Sequence, residues 1–210
     1  MGQTLLQALK AAAGRPGPSL VLPVGSPPQA FLRPVATTPG LLRPTDIECL
    51  TLWRNQHISA FLTSFTATVA RTTAWLTDVV GPRDTKILFM VDDLAGNPVG
   101  YMGLDFIEWG RGYGEADAVV RGGPAPRGTM GSALRTLLAW AEGQLQLREL
   151  GVRVLSTNPA LGFYSRLGFE EYRRVPLRAV TEPDMVRLVE DTTVPASNVW
   201  FVHMRWKGTC

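Results

Sequence analysis

The chain has 210 residues, 45% hydrophobic and 19% charged, which is the composition of a folded domain and not of a disordered segment. The net charge is only +3, and Arg173 and Arg174 are the only adjacent basic pair. A nucleic-acid binder concentrates its basic residues, so no nucleic-acid partner is expected. No run of 18 apolar residues occurs, so no membrane partner or span is expected.

The cysteine content indicates the compartment. Cys49 and Cys210 are the only cysteines, too few for a disulfide framework, and no Cys/His cluster has zinc spacing. We therefore expect a cytoplasmic protein without a metal. Only three of the 21 basic residues are lysine, a bias that a GC-rich coding sequence produces and that indicates a bacterial source.

The element pattern divides the chain into an appendage and one domain. Residues 1–29 contain a short helix at 5–13 and a short strand at 19–24, and we expect them to pack on the domain or to contribute to dimer contacts. From residue 30 onwards the pattern predicts strands at 30–35, 86–92, 98–107, 115–121, 151–156, 169–175 and 198–207, and helices at 45–55, within 56–80, at 131–147 and at 159–167. Residues 177–196 read as an irregular insertion with prolines. This mixture of strands and helices indicates an α+β domain over residues 30–210.

A glycine-rich turn precedes the helix predicted at 131–147. The strand that begins at Glu115 leads into residues 126–132, and the helix follows directly. Free backbone amides and the helix dipole at such a start favour phosphate binding. Taken alone the turn is a weak signal, because it matches neither a Walker A loop nor GxGxxG.

The segment from Asn158 to Phe169, NPALGFYSRLGF, gives the turn its meaning. An Asn at a strand end, a short helix with Tyr164, and a closing Leu-Gly-Phe after the phosphate helix resemble the GNAT superfamily of acyl-CoA-dependent N-acyltransferases. The resemblance covers residues 30–175 and 198–207. It implies a GNAT-like α+β fold, with a central mixed, mostly antiparallel twisted sheet flanked by helices on both faces, and acetyl-CoA as cofactor.

The resemblance also implies which residues bind the cofactor. Strand amides at Val119, Val120 and Arg121 would pair with the pantetheine arm and polarise the thioester carbonyl. The remaining cofactor positions are Arg127, Gly128, Thr129, Met130, Gly131, Ser132, Asn158, Phe163 and Tyr164. The turn departs from the family pattern at Pro126 and Thr129, which replace a Gln or Arg and a Gly. Backbone donors at Gly128, Thr129, Gly131 and Ser132 do not depend on side chains, so binding is expected to survive.

Acyl transfer to an amine needs an acid for the leaving thiolate and a base for the amine. Tyr164 matches the family's general acid, and a phenol with a pKa near ~10 is protonated at neutral pH. Glu115 and Asp117 are two residues apart on one strand and share a face, so either is a candidate base. Asp105 and His57 are rivals.

The helix segment Trp53, Arg54 and Asn55 resembles GNAT members that acylate small amino-bearing molecules. With His57 and Asp105, these residues are the expected acceptor site for a small-molecule amine, such as an amino sugar or a biosynthetic intermediate, attacking directly in a ternary complex. A protein N-terminal or lysine acetyltransferase and a non-catalytic acyl-CoA-binding module are the alternatives. By analogy with the fold, a homodimer through the final strand is plausible.

Overall fold

The structure is a computed structural model that describes residues 1–17, 20–193 and 198–208, so that Cys210 lies outside it. The helices are α1 (Gly2–Ala12), α2 (Pro44–Gln56), α3 (Val69–Ala74), α4 (Thr129–Gly143) and α5 (Ala160–Arg166). A 3₁₀ turn covers Ile58–Ala60, and α3 continues as a π-helix over Trp75–Val80. The strands are β1 (Leu22–Val24), β2 (Ala30–Pro34), β3 (Thr63–Ser64), β4 (Ile87–Asp92), β5 (Pro98–Glu108), β6 (Tyr113–Arg121), β7 (Glu149–Leu155), β8 (Phe169–Glu182), β9 (Met185–Glu190) and β10 (Trp200–Trp206).

The chain forms two compact units. The first comprises Met1–Trp53 and Thr68–Leu150, and the second comprises Arg54–Ala67 and the chain from Gly151 onwards. The α+β class and the mostly antiparallel pairing expected from the sequence are both confirmed by the described strands.

The sheet of the first unit has the order β1-β2-β4-β5-β6, with antiparallel neighbours throughout. Every residue of β4 is buried. Helix α4 packs on this sheet, and its buried positions Leu134, Leu137, Leu138 and Ala141 follow the helical spacing that the sequence indicated.

Residues 1–17 and 20–29 pack within this unit. Leu6 and Leu9 of α1 are buried, and β1 pairs with β2. The ammonium of Lys10 donates to the carbonyl oxygens of Val80 at 2.6 Å, Arg83 at 2.5 Å and Lys86 at 3.1 Å. A buried ammonium with three acceptors ties α1 to the segment before β4.

The sheet of the second unit has the order β7-β10-β8-β9-β3, and its described pairings are also antiparallel. The prediction that residues 177–196 are irregular is wrong for most of their described part, because β8 continues to Glu182 and pairs with β9 as a hairpin. Alternating side chains place Leu177 in a core with Leu155 and Phe201. Pro183 falls in the turn of the hairpin, where a proline is tolerated. Residues 194–197 of the insertion lie outside the description.

The helix predicted within residues 56–80 is likewise confined to its second half. Residues 58–67 contain a 3₁₀ turn and the short strand β3, which pairs with β9. The side chain of Thr68 accepts a hydrogen bond from the amide of Arg71 and caps α3. This cap fixes the start of the helix.

Candidate functional site

The glycine-rich turn is closed by its own backbone and by Thr129. The amide of Thr129 donates to the carbonyl of Pro126 at 3.2 Å, and its hydroxyl donates to the same oxygen at 2.9 Å. The amide of Ser132 donates to Gly128 at 2.9 Å. The amides of Thr129 and Ser132, which the sequence analysis expected to be free, are therefore engaged inside the protein.

Three other amides of the turn remain open. In residues 1–17, 20–193 and 198–208, no backbone acceptor bonds to the amide of Gly128, Met130 or Gly131. Gly128 has φ 96° and caps α4 in the left-handed region, which favours glycine. A β-carbon built on Gly128 would meet nothing within 4 Å, so an anion has room to approach. Arg127 beside it is exposed. This arrangement fits a phosphate group.

Strand β6 carries a β-bulge just before the turn. Tyr101 pairs with Val120 and Gly103 pairs with Asp117, so that both Ala118 and Val119 stand opposite Met102. Ala118 has φ 52°, an uncommon conformation for a residue other than glycine. A bulge interrupts the ladder and redirects the strand, and it does so here at Val119, where the sequence analysis expected cofactor-facing amides.

Glu115, Asp117 and Asp105 are brought together on one face of the β5–β6 hairpin. Asp105 pairs with Glu115, and Gly103 pairs with Asp117, so the three carboxylates share a face. Glu115 is buried and accepts a hydrogen bond from the hydroxyl of Tyr113 at 2.5 Å.

Lys86 lies at the centre of these carboxylates. Its ammonium is 2.6 Å from Oδ2 of Asp105 and 2.5 Å from Oδ2 of Asp117. Burial alone would lower the pKa of Lys86, but the carboxylates of Asp117 and Asp105 raise it above its ordinary value. Sequence reasoning missed Lys86. Its only signal was rarity, because it is one of three lysines in an arginine-rich chain.

Tyr164 lies in the second unit, on α5. It is 6% exposed, and its ring packs edge-on against Phe163 and Phe169, with centroids 5.3 and 5.6 Å away. Oδ1 of Asn158 accepts the amide of Ala160 at 2.9 Å. Asn158 therefore holds the first turn of the helix that carries Tyr164.

The residues expected to bind the acceptor have different surroundings. Trp53 is 5% exposed and belongs to the first unit. In the second unit, the guanidinium of Arg54 lies 3.9 Å from the ring centroid of Phe61. The side chain of Asn55 bonds to both the carbonyl and the amide of Ala67, at 3.0 and 2.8 Å. His57 is exposed. Asn55 thus holds the loop that follows α2.

The predicted site residues therefore form two groups. The turn, the bulged strand, the acidic residues and Trp53 lie in the first unit, whereas Arg54, Asn55, His57, Asn158, Phe163 and Tyr164 lie in the second. Among the described residues, no three His, Cys, Asp or Glu side chains are placed to hold a metal ion. Within the same residues, no helix has both the length and the apolarity to cross a membrane.

Comparison with known proteins identifies a domain. The family model of the acetyltransferase (GNAT) domain matches residues 41–170, which is more than half of the chain. No curated protein matches the chain.

Solved structures share the fold at low sequence identity. A spermidine N-acetyltransferase from Vibrio cholerae, solved as a dodecamer in an intermediate state, is 17% identical, with a TM-score of 0.60 over 84% of this chain and 92% of that one. A probable GNAT-family acetyltransferase from Chromobacterium violaceum is 17% identical, with a TM-score of 0.63 over 91% and 92%. A GCN5-related N-acetyltransferase from Brucella melitensis is 18% identical, with a TM-score of 0.63 over 91% and 80%. At these identities the likeness shows the fold.

Proposed function

The chain belongs to the GNAT family of acetyltransferases, and from that premise we propose that it transfers an acetyl group from acetyl-CoA to a primary amine of a small molecule. Family membership makes the chain an enzyme whose acyl donor is acetyl-CoA. The class of acceptor, an amino sugar or a biosynthetic intermediate, is the proposed part.

The turn before α4 is the observation that carries the proposal. Open amides at Gly128, Met130 and Gly131 stand at the N-terminus of a 15-residue helix, where the dipole favours an anion. They would hold the cofactor phosphates, with Arg127 adding a positive charge. The altered residue Thr129 stabilises the turn through Pro126, so its departure from the family pattern does not remove the phosphate donors.

When bound, acetyl-CoA supplies an activated thioester, and the amine attacks it directly in a ternary complex. Backbone amides in the Val119–Arg121 segment would polarise the carbonyl. The hydroxyl of Tyr164 would protonate the leaving thiolate, and Asn158, Phe163 and Phe169 would hold its ring in place.

The geometry favours Glu115 over Asp117 as the base. Asp117 is ion-paired with Lys86, and protonating it would sacrifice that pair. Glu115 instead accepts a neutral hydrogen bond from Tyr113. Three carboxylates against one lysine also leave a net negative charge, which favours an acceptor that carries positive charge. One fold neighbour is named for acetylating spermidine, a small cationic amine.

Calorimetric titration with acetyl-CoA tests the proposal first, and an amine screen that follows released thiol tests it next. The screen would include amino sugars, polyamines and N-terminal peptides. Tight binding with turnover of a small amine is the expected result. Binding without turnover of any amine would favour the non-catalytic module, and turnover of peptides alone would favour a protein acetyltransferase. A homodimer stays a prediction, which sedimentation velocity measures.

A further inference from the structure

The indole of Trp53 lies against the backbone of Gly122, the residue that begins the turn. A β-carbon built on Gly122 would come within 1.9 Å of Cδ2 and 2.0 Å of Cε2 of that ring, far closer than atoms of two side chains approach. The opposite support for the ring is Tyr101, which stacks on it with centroids 6.2 Å apart and planes at 10°. Only glycine at position 122 leaves room for the indole in this position.

Both ends of the turn rest on the same short segment of β5. The carbonyl of Val99 accepts the amides of Gly122 at 3.0 Å and of Gly123 at 2.9 Å. At the other end, Sδ of Met130 would be only 2.9 Å from a β-carbon built on Gly100. Since Trp53 stacks on the next residue of β5, it closes the packing at the Gly122 end of the turn.

We propose that Trp53 is a positioning residue for the cofactor-binding turn, holding its Gly122 end so that the amides before α4 point at the phosphate. This inference rests on the proposed function of the turn. It gives Trp53 a different role from the acceptor binding that the sequence analysis expected, and a side chain that is 5% exposed offers an acceptor little surface.

Exchange of size between the two partners tests the inference. We would titrate the wild-type protein, Gly122→Ala, Trp53→Leu and the double variant with acetyl-CoA in a calorimeter. Gly122→Ala should weaken binding at least about tenfold, because the new methyl displaces the indole and the turn with it. In the double variant the smaller Leu accommodates the methyl, so it should bind at least about threefold more tightly than Gly122→Ala alone.

Two variants serve as matched controls. A β-carbon on Gly143 would meet nothing within 4 Å, and the indole of Trp109 bonds to the carbonyl of Asp84 outside the turn. Gly143→Ala and Trp109→Leu should therefore stay within about twofold of the wild-type affinity. Partial unfolding is separable, because it lowers the number of sites titrated while leaving the Kd of the folded fraction unchanged.

The outcomes distinguish this inference from the proposed function. Wild-type binding with unchanged affinity in Gly122→Ala and Trp53→Leu would overturn the positioning role alone. A double variant no better than Gly122→Ala would also overturn it, because the defect would then not pass through the indole. A wild-type protein that does not bind acetyl-CoA would overturn the proposed function and, with it, this inference.

Discussion

The ammonium of Lys86 and the carboxylate of Asp117 form an ion pair, with Nζ and Oδ2 2.5 Å apart, on the face of the hairpin where a base was expected. The same ammonium holds Asp105. Two of the four acidic or basic groups assigned to proton transfer or acceptor binding in this unit are therefore neutralised by a residue that no motif identified. This leaves Glu115 as the carboxylate of the row that Lys86 does not pair.

Replacing Lys86 by Met should destabilise the protein by about 3–5 kcal/mol, because two carboxylates would lose their buried partner. Urea unfolding at pH 7 measures this. Lys207→Met is the matched control, since Lys207 pairs with Glu170 at the surface and such pairs contribute about 0–1 kcal/mol. Equal effects of the two substitutions would contradict a stabilising role for Lys86.

The same ion pair predicts an alkaline limit. The pKa of Lys86 is raised above 10.5 in the folded protein, so the folded state retains a proton that the unfolded state releases. The stabilisation is then complete below pH 10.5 and is lost as the pH rises through the folded pKa. The difference in unfolding free energy between wild type and Lys86→Met should stay constant from pH 7 to about 10 and shrink above it. A difference that shrinks below pH 9 would contradict this assignment.

The base assignment predicts unequal effects for two conservative substitutions. Glu115→Gln should lower kcat about 10²- to 10⁴-fold, the range of general acid–base catalysis, because an amide cannot accept the amine proton. Asp117→Asn should lower it less than about tenfold. Steady-state rates with the amine found in the screen decide the order, and the reverse order would make Asp117 the base.

The sequence predicted those parts of the fold whose signals are local. The hairpin of β4 and β5 follows from alternating side chains around a turn, and α4 follows from the spacing of Leu134, Leu137 and Leu138. The hairpin of β8 and β9 was missed because its prolines suggested a break, whereas its strands are stabilised by pairing with each other and by a core that includes Leu177. Such contacts are distant in sequence and leave no local pattern.

The candidate site divides in the same way. The open amides at Gly128 and Gly131 follow from a Gly-rich helix start, which is a local signal. The role of Thr129 in closing the turn, the bulge at Ala118 and the ion pairs of Lys86 depend on register and on close packing. Composition and spacing do not encode these features.

His203 should make stability fall on the acid side of neutrality. Burial lowers its pKa below 6.5, with Arg153 and Arg173 acting in the same direction and Glu190 opposing them. The folded state therefore binds fewer protons than the unfolded state just below pH 6.5, and the free energy of unfolding falls as the pH drops through that window. His203→Gln should flatten the dependence between pH 5 and 7, measured by urea unfolding at each pH. The exposed His57 provides the control: the slope should persist in His57→Gln, and its loss there instead would refute the role of His203.

Tyr164→Phe isolates the hydroxyl proposed as general acid. The ring would keep its contacts with Phe163 and Phe169, so the melting temperature and the Kd for acetyl-CoA should change little. Without a proton donor for the leaving thiolate, kcat should fall about 10²- to 10⁴-fold. Tyr172→Phe is the matched control, because Tyr172 is 52% exposed on β8 and its hydroxyl has no proposed role. Full turnover by Tyr164→Phe would remove the acid assignment, and a loss of acetyl-CoA affinity equal to the loss of kcat would make Tyr164 a binding residue instead.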